Sequence, residues 1–227
     1  MLEFKIVTIY PEFFDSFLRH GLIKRALESR KIAIDTINLR AYGLGKHLKV
    51  DGAPYGGGAG MLLRPEPVVE ALEECEKSVS GDKMTKVLLS PQGVRFTQDK
   101  AEELSRSKLP IVLVCGRFEG FDERIRDFVD EEISIGDYLL QGGEVAAMTI
   151  VESVGRLVPG VVGNRESLHT ESFKDSLLEY AQYTKPMQFR GIGVPEVLVS
   201  GNHRKIAEWR RESAYAKTRT RRGDLLK

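Results

Sequence analysis

Three strand-like runs in this chain end in glycine-bearing turns, and that pattern limits what it can fold into. The run I-V-L-V-C at 111–115 breaks at Gly116, E-E-I-S-I at 131–135 breaks at Gly136, and K-V-L-L at 86–89 breaks at S-P-Q-G. A glycine pair, Gly142-Gly143, then opens a helix at about Glu144. Short apolar runs bounded by glycine read as buried strands. A residue without Cβ lets the main chain approach a ligand closely or take positive φ. Helical patterns lie between the runs. Val68, Val69, Leu72, Cys75 and Val79 recur at helical spacing after Pro65, and 100–107 also reads as helix. Nearer the start, 2–10 reads as a strand, Pro11 opens a helix carrying Phe13, Phe14, Phe17 and Leu18, and Ile32, Ile34, Ile37 and Leu39 mark a second strand. Such alternation predicts an α/β protein with a parallel sheet covered on both faces, whose ligands bind beyond the carboxyl ends of the strands. All three glycine-bearing turns fall at that end, so a small-molecule cradle of main-chain groups is expected there. The alternative is that they are ordinary strand-to-helix turns.

Residues 40–60 have no apolar period and end in D-G-A-P-Y-G-G-G-A-G-M, a loop long enough to suggest function. It lacks the Lys-Ser/Thr ending with which a phosphate loop contacts terminal phosphates and magnesium, which excludes an ATPase of that type. Cys75 and Cys115 have no Cys or His at metal-ligand spacing and read as core thiols. No apolar run approaches the ~20 residues of a membrane helix, and the first eleven residues lack the order of a signal peptide, so a cytoplasmic protein without membrane contact is expected.

The formal net charge of +1 hides an asymmetry: residues 204–227 hold nine Lys or Arg against three Asp or Glu. This basic tail includes Arg210-Arg211 and R-T-R-R at 219–222, which suits phosphate contact as well as a solvated helix face. Within it, 201–217 places Ile206, Trp209, Ser213 and Ala216 on one helical face. Residues 158–174 are polar and irregular and read as a linker. The expected division is 1–160 as the ligand-binding domain, 161–174 as the interdomain linker and 175–227 as a small C-terminal helical domain.

The motifs P-Y-G-G-G-A-G-M, G-R-F-E-G-F-D-E-R, I-G-D-Y-L-L-Q-G-G-E and E-S-F-K-D-S-L-L-E-Y-A-Q-Y-T-K-P, in this order, closely resemble the bacterial tRNA (guanine-N1) methyltransferase family from end to end. The resemblance implies the SPOUT fold, a parallel sheet carrying a deep trefoil knot, a rare exception to the rule against threaded chains. It implies S-adenosylmethionine as cofactor, contacted by Leu88, Leu89, Ser90, Pro91, Gly116, Glu119, Ile135, Gly136, Asp137, Tyr138, Leu139, Leu140, Gly142 and Gly143. It also implies methylation of N1 of the guanosine at tRNA position 37, beside the anticodon, by a homodimer with shared sites. Magnesium is a further candidate cofactor, although no spacing identifies a metal cage.

By the same resemblance Glu171 is the general base that removes the N1 proton, and Arg156 contacts the guanine, where a cation stabilises charge at O6. Read without the family, Glu171 is a linker carboxylate near a helix start and Arg156 a helix C-terminal cation. Substrate contacts fall on Asp51, Tyr55, Gly56, Gly57 and Gly58 in the glycine loop, and on Arg219 and Arg221 in the tail. The chain departs from the family pattern at several places. Glu171 stands for an aspartate, Phe118 for a tyrosine, Val145-Ala146 for leucine-proline, Lys185 for an arginine, and Gly52 for an acidic residue. The competing expectations are another knotted RNA methyltransferase and a non-catalytic RNA-binding protein.

Overall fold

The alternation expected from the sequence assembles, in the computed structural model, into a five-stranded all-parallel sheet. The structure describes residues 1–79, 81, 83–163 and 171–226. It divides into two compact units, Met1–Gly163 and Asn164–Lys227. The stretch read as a linker falls partly on 164–170, outside the described residues.

In the first unit the strands are β1 (Leu2–Thr8), β2 (Ile32–Asn38), β3 (Asp51–Gly52), β4 (Leu62–Leu63), β5 (Thr85–Arg95), β6 (Ile111–Cys115) and β7 (Glu131–Ser134). The helices are α1 (Asp15–Leu18), α2 (Gly21–Glu28), α3 (Pro65–Lys77), α4 (Gln98–Ser105) and α5 (Glu144–Gly155). The sheet order is β2-β1-β6-β5-β7, while β3 and β4 pair with each other in a separate antiparallel ribbon.

Strand periodicity of two sorts the apolar side chains between the faces. Val87, Leu89, Ile111, Leu113 and Cys115 pack with Ala147, Ile150, Val151 and Val154 of α5, whereas Leu88, Val112 and Val114 pack with Val68, Ala71, Leu72 and Cys75 of α3. Each fully buried Leu or Ile contributes roughly 1.5–3 kcal/mol. α3 begins with Pro65 at its first position, where a missing N–H costs nothing, and α4 is capped by Thr97, whose hydroxyl accepts from Lys100 N at 3.3 Å.

Two local expectations need correction. The strand beginning near Lys86 does not stop at S-P-Q-G; after a register shift between Leu89 and Val94 it resumes beside β7. Gly93 makes this fit, because a Cβ there would lie 2.4 Å from the main chain of Glu132 and Ile133. The segment after Pro11 is a 3-10 turn (Pro11–Phe14) leading into the single turn α1; a further 3-10 helix, Glu123–Phe128, follows the Gly116 turn.

The second unit contains β8 (Gln188–Phe189), β9 (Ile192–Gly193), α6 (Glu196–Val199) and α7 (His203–Arg221). The extended stretch around 178–181 joins no strand among the described residues. Two of its main-chain donors are satisfied by α7 instead: Thr218 Oγ1 accepts from Leu178 N at 2.8 Å, and Ser213 Oγ accepts from Ala181 N at 3.0 Å. The packed face of α7 therefore turns through Ala214 and Thr218, both buried, and Ala216 is exposed rather than inward.

Candidate active site

The register break within β5 and the turns after β6 and β7 close around a cavity of about 300 Å3. That size is at the lower end of small-molecule sites. Of the residues expected to touch a cofactor, Leu89, Ser90, Pro91, Gly116, Glu119, Ile135, Gly136, Tyr138, Leu139, Leu140, Gly142 and Gly143 line it. Leu88 and Asp137 do not. Leu88 alternates to the other face of β5 and is fully buried there, and Asp137 is exposed beside the lining turn.

Glycine is required at particular points of this wall. Gly143 N donates to Gly116 O at 2.8 Å, and a Cβ on Gly143 would sit 2.7 Å from Cys115 Cα. Gly136 has φ +150°, and a Cβ there would meet the Tyr138 ring at 2.5 Å. The turns at Gly116 and Gly143 thus meet at main-chain distance where the cavity is built, which a larger residue at 143 would not permit.

Sequence reasoning missed the polar lining. Gln92, Arg117, Glu123, Arg126 and Gln141 also face the cavity, as does Ala146. Arg126 holds Glu132 with two bonds of 3.0 Å and donates to Gln92 Oε1 at 2.8 Å and to Glu123. No local signal marks that network, since Gln92 lies 34 positions from Arg126. Arg117 falls inside the G-R-F-E-G motif, but its partner Glu144 lies 27 residues on.

The glycine loop reaches the same wall. Glu119 N donates to Met61 O at 2.9 Å, Leu63 N to Gly120 O at 2.8 Å, and Asp122 N to Leu63 O at 3.0 Å, so 61–63 runs along the 119–122 turn. Tyr55 at the loop tip is 98% exposed, and Gly56, Gly57 and Gly58 have positive φ. Asp51 is half-buried in β3, and Gly52 meets only the Arg64 side chain, at 3.5 Å, so packing gives no account of a glycine there. Phe118 lines the cavity with φ +61°, an uncommon backbone for a bulky residue.

Gly60 has φ +82°, and a Cβ on it would lie 2.3 Å from Glu119 Cγ. Gly60→Ala is therefore expected to displace Glu119 from the cavity wall and lower turnover by about 10-fold. Its backbone strain should cost only about 1–2 kcal/mol of stability. Steady-state kinetics beside a melting curve checks this; unchanged turnover would show that loop and wall are independent.

Arg156 caps the far end of α5, about 18 Å along the helix from the cavity. It is half-buried and does not line the cavity. Glu171 belongs to the second unit, where its carbonyl accepts from Lys174 N at 3.3 Å. Next to it Phe173, Asp175 and Ser176 all have positive φ. Arg219 and Arg221 are exposed in the last turn of α7. Burial pushes the Cys75 thiol up to about 11 and the Cys115 thiol well above its ordinary value, which fits the reading of both as unreactive core thiols. Among the described residues no group of three or more His, Cys, Asp or Glu is arranged to hold a metal ion, and no helix is long and apolar enough to cross a membrane.

A parallel α/β sheet with a glycine-walled cavity at its carboxyl ends defines a small-ligand-binding protein of the α/β class. The sequence model of the family described as tRNA (Guanine-1)-methyltransferase TrmD matches residues 2–227. Relatives from Staphylococcus aureus strains JH9, Newman and N315, each named tRNA (guanine-N(1)-)-methyltransferase, are 47% identical over 226 residues, which is 99% of this chain and 91% of theirs. The chain belongs to the tRNA (guanine-N1)-methyltransferase family, and that family implies S-adenosylmethionine as methyl donor.

Proposed function

We propose that this enzyme methylates N1 of the guanosine at tRNA position 37, in the cytoplasm, as a homodimer. In this reading each site joins the cavity of one subunit to Glu171 of the other, and the first unit is tied in a deep trefoil knot. The observation that carries the reading is the convergence of the β5 register break and the ends of β6 and β7 on one cavity in a chain of this family. The close main-chain contact of Gly143 with Cys115 and Gly116 fits a knotted arrangement.

The residues present fit S-adenosylmethionine. The cavity is bounded by main chain at Gly116, Gly136, Gly142 and Gly143 and by apolar surface from Leu89, Pro91, Ile135 and Leu140. When bound, the cofactor supplies an electrophilic sulfonium methyl group. The protein's own task is to align the guanine and make its nitrogen nucleophilic. Glu171 accepts the N1 proton, and Arg156 stabilises the negative charge that builds on O6. The left-handed residues beside Glu171 support a functional role, because such strain clusters where geometry is imposed for chemistry. Exposed Tyr10, Phe13, Leu139, Leu140 and Val145, grouped about Arg117 and the first turn of α5, support a covered subunit interface. For magnesium, the cavity wall offers Glu119 beside Glu123, which pairs with Arg126, and a Mg2+ ion held by one carboxylate with RNA phosphates suits its preference for oxygen and water. No step is assigned to it.

Transfer of labelled methyl from S-adenosylmethionine to bulk tRNA, followed by mapping of the product, tests the reading. N1-methylguanosine at position 37 is expected, and label on another base or on a ribose would overturn it.

α7 carries seven Lys or Arg against two Glu. Arg219→Ala with Arg221→Ala is expected to weaken tRNA binding, to flatten its salt dependence by about one unit of slope for each phosphate no longer neutralised, and to leave donor affinity unchanged. Binding measured across a salt series checks this, and an unaltered slope would take the tail out of the RNA interface.

A further inference from the structure

Glu144, the first residue of α5, is 1% exposed. Its Oε1 accepts from Thr8 Oγ1 at 2.7 Å and from Arg117 Nε at 3.1 Å, and Arg117 Nη2 lies 2.8 Å from Oε2. The guanidinium sits over the Tyr10 ring at 4.7 Å and near Phe13 at 5.8 Å. It passes where Gly142 has no side chain, because a Cβ there would lie 2.2 Å from Arg117 Nε. This pair, one hydrogen bond from Nε and one charge contact from Nη2 that leaves Oε2 without a hydrogen bond, ties the end of β1, the turn after β6 and the turn that opens α5. Two of these turns, Gly116–Arg117 and Gln141–Gly143, line the cavity.

A buried ion pair is a poor way to stabilise a fold, since apolar side chains of similar volume often serve as well or better. Its distinctive property is geometric, because a hydrogen bond from Nε together with a charge contact from Nη2 limits both the distance and the plane of the guanidinium. Arg117 is also committed inward to Glu144, so it is not a free cation for a ligand's carboxylate, although it lines the cavity. We infer that Arg117 and Glu144 are positioning residues that set the spacing of the Gly116 and Gly142-Gly143 turns and thereby the affinity for the methyl donor. This rests on the reading of the cavity as the S-adenosylmethionine site.

The test compares calorimetric binding of S-adenosylmethionine, thermal unfolding without ligand, and steady-state kinetics for the wild type, Arg117→Met, Arg117→Lys and the double variant Arg117→Met with Glu144→Gln. Arg117→Met leaves a buried charge without its partner, so both stability and donor affinity fall, with Kd raised about 10-fold or more. Arg117→Lys keeps the charge and loses the fork, so it recovers stability more than affinity. The double variant removes the orphaned charge, so its melting temperature returns toward wild type while Kd and KM for the donor stay raised and kcat at saturating donor changes by less than about 3-fold. Recovery of both stability and affinity in the double variant, or wild-type affinity in Arg117→Met, would reduce the pair to a support of the fold. If Arg117→Met does not fold, the lysine and double variants decide the question. Failure of the wild type to bind the donor would overturn the cavity assignment and the inference with it.

Discussion

Glu171→Gln is expected to lower methyl transfer to tRNA by about 10²-fold or more while leaving donor and tRNA affinities near wild type. The amide keeps the size and shape of the carboxylate and removes its ability to accept a proton. Guanine N1 carries a proton at neutral pH, so attack on the methyl group requires that proton to leave before or during transfer. Raising the pH should partly restore the variant, because more guanine is deprotonated before it reaches the site. The backbone around Glu171 sharpens the expectation: Phe173 N donates to Leu177 O at 2.7 Å and Ser172 Oγ accepts from Glu179 N at 3.0 Å, so the segment is held by its own bonds and an isosteric change leaves it in place. Single-turnover rates across a pH series, with binding measured separately, form the check. A neutral-pH rate near wild type would leave Glu171 as an ordinary loop carboxylate.

Mixing two inactive variants is expected to restore about a quarter of wild-type activity. Gly142→Asp places a side chain where Arg117 Nε would lie 2.2 Å away and crowds the cavity wall. It is expected to abolish donor binding, whereas Glu171→Gln spares binding and removes the base. In a two-fold dimer with shared sites, each homodimer is defective at both sites. Unfolding and refolding an equal mixture gives about half mixed dimers, and each mixed dimer has one site built from two intact halves and one carrying both lesions. The ratio of activity to dimer content, with composition read by mass spectrometry, decides the matter. Mixed dimers without activity would mean that Glu171 serves the cavity of its own chain. Circular dichroism of the Gly142→Asp protein guards against the trivial loss of fold.

What was legible in the sequence was local. The unbroken apolar run at 111–115 and the helical recurrence of Val68, Val69, Leu72, Cys75 and Val79 are patterns of short range, so strand and helix could be read without knowing any neighbour. The glycine turns could be read for the same reason, and they are the walls of the cavity. Which strands pair was not legible. β5 sits between β6 and β7, and resumes beside β7 after a register break that only Gly93 against Glu132 and Ile133 makes possible. Nor can periodicity say which face each alternation takes: Leu88, which the family resemblance implies at the cofactor, packs in the α3 core on the far side of β5 from Leu89. The polar half of the site, Arg117 with Glu144 and Arg126 with Glu132 and Gln92, joins residues 6 to 34 positions apart whose charges look like any solvated side chain in one dimension. The sequence by itself determined the elements, the turns and the family; the tertiary structure decided sheet order, facing and the buried charge pairing, because those depend on contacts between segments that become neighbours only when the chain has folded.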